Sequence, residues 1–402
     1  MAFSTVVGSD GITSLVGTTG VDVASIFTLP DEVFIGGNTG DDFVLLDLIP
    51  DAVASDYEIR MGGGDDELDI ADGFGRQVIT DSFISLDGLT LANDGKDTFN
   101  ADIVLFSEVV GRGGDDTFDI LLLDESELNG NTDNDTIRIV DSIDSEIYGG
   151  QGNDRINIFA DSVETTIYGN KGDDVIEVGF ASSRFVDSAI YGGQGNDVID
   201  VFSDSDIFVV GDLGSDTITT AGGDDDVEGA DGNDILDAGA GDDDVEGGKG
   251  DDTLTGGLGA DTLSGGDGTN VFAGYDVTNA AGVAATGNTG FDTITDFSSG
   301  DTIKLGVQGQ VVINRGTVSS DFAGSLGQIL TAEFTGANGF LFNDDVGIIT
   351  ITAGASNAGI AGSYVVLNND NVAGWQADSD NVIKINSTSL FTPANIGNVV
   401  TV

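Results

Sequence analysis

Residues 211–273 divide into seven consecutive blocks of nine: GDLGSDTIT, TAGGDDDVE, GADGNDILD, AGAGDDDVE, GGKGDDTLT, GGLGADTLS and GGDGTNVFA. Each approximates G-G-x-G-x-D-x-U-x, with U a large apolar residue, and seven in unbroken register commit the chain to a repeat architecture. Glycine at positions 1, 2 and 4 permits positive φ and close backbone approach. Position 5 accepts Asn233, one of the few non-glycine types that tolerate a left-handed backbone. Position 6 is Asp216, Asp225, Asp234, Asp243, Asp252 and Asp261, then Asn270. Position 8 is Ile218, Val227, Leu236, Val245, Leu254, Leu263 and Phe272. Each block reads as a tight turn followed by a short strand with its apolar residue inward. A flexible Gly/Asp linker has no reason to keep that register or the periodic apolar residue.

Two blocks, eighteen residues, make one coil of a parallel β-roll, so residues eighteen apart stack at about 4.8 Å. Asp216, Asp234 and Asp252 then line one edge, with Asn270 next, and Asp225, Asp243 and Asp261 line the other. Carboxylates this close repel strongly unless a cation sits between them. Oxygen-only donors, carboxylates plus turn carbonyls, suit a hard cation held at about 2.3–2.6 Å, which is calcium. On these residues the chain resembles the RTX, or haemolysin-type calcium-binding repeat, family. The resemblance implies that the position-6 aspartates bind several Ca2+ together with turn carbonyls from neighbouring coils.

The pattern continues upstream in looser form. It places Asp22, Asp42, Asp66, Asp97, Asp116, Asp135, Asp154, Asp174 and Asp197 at position 6. From Asp97 to Asp216 the steps are 19, 19, 19, 20, 23 and 19 residues, one coil each. The expected architecture is a continuous roll with two kinds of edge. The first keeps its Gly-Asp turn from Asp22, or at least Asp42, to Asp252. The second is ordinary loop upstream of residue 220 and a metal turn only from Asp225. The longer steps, 24 from Asp42 to Asp66 and 31 from Asp66 to Asp97, are expected as bulged loops on the second edge. The metal-ligand candidates are Asp42, Asp66, Asp97, Asp116, Asp135, Asp154, Asp174, Asp197, Asp216, Asp225, Asp234, Asp243, Asp252 and Asp261.

TIRIV, RINIF, VIEVG and VIDVF alternate at period two, which puts Ile137, Ile139, Ile156, Ile158, Ile176, Val178, Ile199 and Val201 in an inner stack. Return strands add Ile147, Ile167, Ile190 and Ile207. The same period turns Tyr148, Tyr168 and Tyr191 outward as an aromatic ladder, with Phe208 expected in the equivalent place. Ring stacking that shields the edge backbone accounts for such a ladder. A contact surface for a glycan or another subunit is the functional reading.

The chain carries 71 acidic and 12 basic residues, a formal charge of -59. Nucleic acid is excluded as a partner, because phosphate neutralisation requires Lys and Arg. Such charge opposes compaction unless cations neutralise it. With no His and no Cys, soft-metal sites are disfavoured and the commonest general base is missing. The 12 Lys and Arg are scattered and join no nucleophile motif, so the expectation is not an enzyme. MAFSTVVGSDGITSLVG lacks the basic and apolar regions of a Sec signal, and no stretch is long and apolar enough to span a bilayer. The family resemblance implies type I secretion.

After Phe272 the register fails. FDTITDFSSGDTIKL, residues 291–305, resembles the stretch that ends the roll in serralysin-type RTX proteins, with Asp292, Asp296 and Asp301 at its acidic positions. The segment YVVLNNDNVAGWQADSDNVIKIN resembles a C-terminal module of cyanobacterial RTX-type proteins, and its Asp370, Asp378 and Asp380 read as a solvated turn or one more cation site. The fold class is therefore all-β: a parallel β-roll or β-helix solenoid with calcium-binding turns, then a small C-terminal β module. Four regions are expected. They are an N-terminal solenoid (1–210) with calcium turns on one edge, the regular roll (211–273) with calcium turns on both, a roll-terminating segment (274–305) and the β module (306–402), a secretion or assembly region. The function implied by resemblance to repeat-only surface proteins of cyanobacterial S-layer or oscillin type is a secreted structural protein that folds and self-associates into sheets or filaments on calcium. The alternatives are a carbohydrate-binding adhesin recognising a surface glycan, and a polysaccharide-modifying β-helix enzyme.

Overall fold

A computed structural model describes residues 4–7, 13–16, 23–26, 33–36, 41–46, 53–55, 57–62, 64–70, 78–86, 95–180, 182–275, 292–298, 300–305, 312–318, 346–351, 362–367, 381–385 and 399–401. The described elements are all strands and turns, and the chain is a parallel β-solenoid in two compact units, Met1–Asp204 and Ser205–Val402. Among the described residues no helix is long and apolar enough to cross a membrane.

In the first unit each coil contributes a forward strand after the Gly-Asp turn and a return strand leading to the next. Forward strands Thr98–Leu105, Thr117–Asp124, Thr136–Ile143, Arg155–Ile158, Val175–Val178 and Val198–Val201 pair in parallel. Return strands Phe83–Ser85, Glu108–Val110, Glu127–Thr132, Glu146–Gln151, Thr166–Lys171 and Ala189–Gln194 do the same. The register stacks like on like: Ile137 on Ile156 on Ile176 on Ile199, and Ile147 on Ile167 on Ile190. All seven isoleucines are fully buried, so the period-two pattern supplies a narrow, two-faced core. Ile139, Ile158, Val178 and Val201 are buried as expected; Ile207 is buried too, but at the turn, and Val209 takes the return-strand place expected for it. The first strand, Ser4–Val7, runs antiparallel to Thr13–Val16 and so departs from the roll pattern.

The long steps are not bulges on the second edge. Glu67–Ile70 and Val78–Thr80 pair with two halves of one strand, Thr98–Leu105, with Ile70 opposite Ala101 and Val78 opposite Ile103. The forward sheet is therefore interrupted between Ile70 and Val78, where the next coil has the single residue Asp102. In the coil before, Phe43–Leu46 and Val53–Ser55 are split the same way. Asp-to-Asp spacing fixes how many residues a coil contains, not where the extra ones leave it.

In the second unit the period settles to eighteen. Ile218, Leu236, Leu254 and Phe272 stack on the forward side, and Val209, Val227, Val245 and Leu263 on the return side. Phe208 is not in the tyrosine place: it pairs with Asp226, and Val210, directly ahead of Gly211, holds the position that Tyr148 holds ahead of Gly149. Asp292–Ile294 and Thr302–Leu305 then extend the return and forward sheets. Asn381–Ile385 and Val399–Thr401 pair in parallel onto those two strands, while Gly362–Leu367 is antiparallel to both Asn381–Ile385 and Val346–Ile351.

Candidate metal centres on the roll edges

The position-6 aspartates form columns held by one repeated hydrogen bond. Along the first edge of the first unit, the amides of Asp42, Asp66, Asp97, Asp116, Asp135, Asp154 and Asp174 donate to Oδ1 of the next aspartate, ending at Asp197, at 2.7–2.9 Å. In the second unit the amide of Asp216 donates to Asp234, Asp234 to Asp252, Asp252 to Oδ1 of Asn270 and Asn270 to Asp301. Its second edge repeats the device: Ile207 donates to Asp225, Asp225 to Asp243, Asp243 to Asp261 and Asp261 to Asp292. All fourteen candidate aspartates are brought into these columns, each at most 2% exposed.

Position 5 clamps the same coils in the opposite sense. Asp251's amide donates to Oδ1 of Asn233 at 2.8 Å, and Thr269's to Oδ1 of Asp251 at 2.8 Å. Position 6 thus reaches back one coil and position 5 reaches forward one. The glycine at position 1 is obligatory beside the carboxylate, since a Cβ on Gly229 would come 2.5 Å from Oδ2 of Asp234. Gly250, at position 4, has φ of +132°, a backbone that side-chain-bearing residues rarely adopt.

The second carboxylate oxygen decides what these columns can do. In Asp135, Asp154, Asp174, Asp234, Asp243 and Asp252 the Oδ2 atom is buried and accepts no hydrogen bond. A buried, unsatisfied carboxylate oxygen costs several kcal/mol, about as much as a group that would rather be neutral. Burial, reinforced by the carboxylates in adjacent coils, pushes Asp135 and Asp174 up to about 8, against the pull of the amide each accepts. Burial raises Asp225 and Asp243 to about 7, and Asp154 and Asp234 to about 6. Among the described residues no three carboxylates converge. The donor set is instead one buried carboxylate per turn with backbone carbonyls around it, hard oxygen throughout, and it fits calcium.

The second edge of the first unit, read above as ordinary loop, is an ordered column of its own. The amides of Ser82, Ser107 and Ser126 donate to the hydroxyls of Ser107, Ser126 and Ser145 at 3.0–3.2 Å, and that of Thr165 to Ser188 at 3.1 Å. Each of these serines donates in turn to the carbonyl two residues earlier. The residue ahead of each hydroxyl is left-handed: Asp81, Phe106, Glu125, Asp144, Glu164 and Asp187 have φ between +44° and +52°. A hydroxyl thus does neutrally what the aspartate Oδ1 does at the metal turns, and brings no spare oxygen. The signal was present, since Ser107, Ser126 and Ser145 recur at the nineteen-residue step of the aspartates.

The family model for the RTX calcium-binding nonapeptide repeat (4 copies) matches residues 144–157, 166–180, 189–212, 208–236 and 237–272. These coils hold the columns from Asp154 to Asn270. These residues are RTX calcium-binding nonapeptide repeats. No curated protein is significantly similar to the chain. Through these repeats it binds calcium at multiple sites on a β-roll. The roll-ending segment supplies two residues that the nonapeptide pattern does not reach: Asp292 and Asp301 continue the two RTX columns past Asp261 and Asn270 after a 31-residue step each. Asp296 instead accepts from the amides of Gly265 and Gly266 and the hydroxyl of Ser264. Asp22, Asp370, Asp378 and Asp380 lie outside the described residues. The tyrosine ladder stands as expected, with ring centroids 4.9 Å apart between Tyr148 and Tyr168 and 5.1 Å between Tyr168 and Tyr191, the planes within 11°.

Proposed function

We propose that this is a secreted structural protein of the cell surface or extracellular matrix, an S-layer, sheath or fibre component, that folds and assembles when it meets calcium. Asp42, Asp66, Asp97, Asp116, Asp135, Asp154, Asp174, Asp197, Asp216, Asp225, Asp234, Asp243, Asp252 and Asp261 are the ligands in this reading. The observation that carries it is the buried Oδ2 atoms of Asp135, Asp154, Asp174, Asp234, Asp243 and Asp252, which accept no hydrogen bond. Such columns cannot be charged and dry at once, so metal binding supplies folding free energy directly. Within a chain of -59, ions along the edges also relieve the self-repulsion that opposes compaction. A chain of this kind stays loose where calcium is scarce, passes an exporter unfolded, and closes outside, where extracellular calcium modules work at about 10⁻⁴–10⁻³ M. The reading includes no catalysis.

Calcium titration of purified protein, followed by circular dichroism and electron microscopy, tests it. The expected result is a cooperative gain of β structure in the millimolar range, followed by sheets or filaments. A carbohydrate-binding adhesin is the second reading, supported by the evenly spaced tyrosines, and retention on a glycan array without assembly favours it.

A further inference from the structure

The two edges of the second unit differ at position 1 of the repeat. On the first edge that position is Gly211, Gly229, Gly247 and Gly265; on the second it is Thr220, Ala238 and Gly256. The first-edge glycines leave open a place that a side chain would take. A Cβ on Gly229 would stand 2.5 Å from Oδ2 of Asp234 and 2.7 Å from the carbonyl oxygen of Gly247, one coil on. On Gly247 it would stand 2.6 Å from Oδ2 of Asp252 and 2.8 Å from the Gly265 carbonyl. Within the first unit Gly111, Gly149 and Gly169 repeat the arrangement, with a carboxylate oxygen at 2.5 Å and a carbonyl oxygen at 2.5–2.9 Å. Those separations are too short for carbon and close to the distance calcium keeps from oxygen, about 2.3–2.6 Å. The open place is lined by the same oxygen that accepts no hydrogen bond in Asp234 and Asp252.

On the second edge two turns carry carbon at that place. Thr220 is 3% exposed and Ala238 fully buried, so neither side chain escapes to solvent. The Thr220 hydroxyl lies beside the Asp225 carboxyl and donates to the Ala238 carbonyl at 2.7 Å. That carbonyl is the counterpart of the Gly247 oxygen beside Gly229, and here it is already engaged. Real Cβ atoms do not come within 3.0 Å of an oxygen, so Asp225 and Asp243 keep their column with the space beside them narrowed. Gly256 opens the space again at Asp261, where the atoms nearest its missing Cβ all belong to that aspartate.

We propose that the roll carries two classes of calcium site, set by position 1, and that Thr220 and Ala238 make the sites of Asp225 and Asp243 the weak class. The glycine-flanked turns load first. The other two load last, because an ion there must shift a buried side chain, and Thr220 must release the Ala238 carbonyl before that oxygen can serve a cation. The coils therefore close along the first edge at lower calcium than along the second. The inference rests on the reading that these aspartates hold calcium.

Equilibrium dialysis of the full chain against labelled calcium, over a wide range of free calcium, tests it. The wild type is compared with the double variant Thr220→Gly, Ala238→Gly, with Ala238→Gly alone, and with Gly229→Ala. Circular dichroism of the same samples reports folding. The wild type is expected to show a tight and a weak class. The weak sites are expected to bind at least tenfold tighter in the double variant, with the total number unchanged, and Ala238→Gly to give part of that gain. Gly229→Ala is expected to weaken a tight site at least tenfold. New glycines loosen the unfolded chain and by themselves destabilise the fold, so a merely structural role for Thr220 and Ala238 does not produce tighter binding. Ala238→Gly decides the matter if the double variant or Gly229→Ala does not fold. A single class in the wild type, or weak sites unmoved by the glycine variants, overturns the two classes while leaving calcium binding intact. A wild type that binds no calcium overturns the calcium reading together with them.

Discussion

The amide of Asp234 donates to Oδ1 of Asp252, eighteen residues later, at 2.9 Å, while Oδ2 of Asp252 is buried and accepts nothing. One oxygen is structural and the other is available to metal. The two roles separate by substitution. Asp252→Asn keeps the acceptor for Asp234 and loses the charge, as the natural Asn270 does one coil on. Calorimetric titration is expected to show fewer or at least tenfold weaker calcium sites in Asp252→Asn, with metal-free stability unchanged or raised. Asp252→Ala loses both roles and strands a buried amide, a further cost of about 1–3 kcal/mol in a denaturant melt.

The raised carboxyls set a pH dependence for the calcium-free chain. Asp135 and Asp174 stand at about 8 in the fold against an ordinary 3.8, and Asp154 and Asp234 at about 6. A carboxyl raised by folding stabilises the fold fully below its unfolded value and loses that contribution as pH rises through the folded one. In excess chelator the roll is therefore expected to be most stable near pH 4 and to lose stability progressively as pH rises to about 8. With calcium present the loss disappears. A chelated chain that unfolds on acidification instead contradicts this sign.

The two second edges differ in what they ask of the solvent. Ser126→Ala removes the acceptor for Ser107 and the bond to the Asp124 carbonyl, so thermal melts should show a loss of about 1–3 kcal/mol that is the same at saturating and at low calcium. Asp243→Ala removes the corresponding acceptor for Asp225 and a metal oxygen together, so its loss should grow with calcium concentration. Equal calcium dependence in the two variants argues against a metal-independent serine column.

Phe106 sits at φ +48° on the serine edge, where Asp81, Asp144 and Asp187, of a type that tolerates the left-handed region better, hold the equivalent place. It is half exposed, so Phe106→Asn forfeits little burial. The variant is expected to be more stable than the wild type by about 1 kcal/mol, read from the denaturation midpoint.

Much of this was legible because the repeat is a local code read at a fixed step. Asp216 to Asp261 announce both edges by spacing alone, and Ile137, Ile156, Ile176 and Ile199 announce the core by alternation. What was missed follows from the same physics. The serine column hides because serine is common in loops, and only its nineteen-residue step distinguishes Ser107, Ser126 and Ser145. Phe208 takes the tyrosine place only if the alternation runs from Ile207; the turn glycine Gly211 sets the phase and gives that place to Val210. Asp292 and Asp301 fall outside the nonapeptide because 31 residues separate each from its partner, and only the fold shows that they rejoin the columns.

The most direct measurement is far-ultraviolet circular dichroism of the purified chain at pH 8, taken through exhaustive chelation and then readdition of calcium. The account predicts that the β signal collapses on chelation and returns cooperatively with calcium, and not with an equal ionic strength of monovalent salt. A β signal that survives chelation at that pH contradicts it.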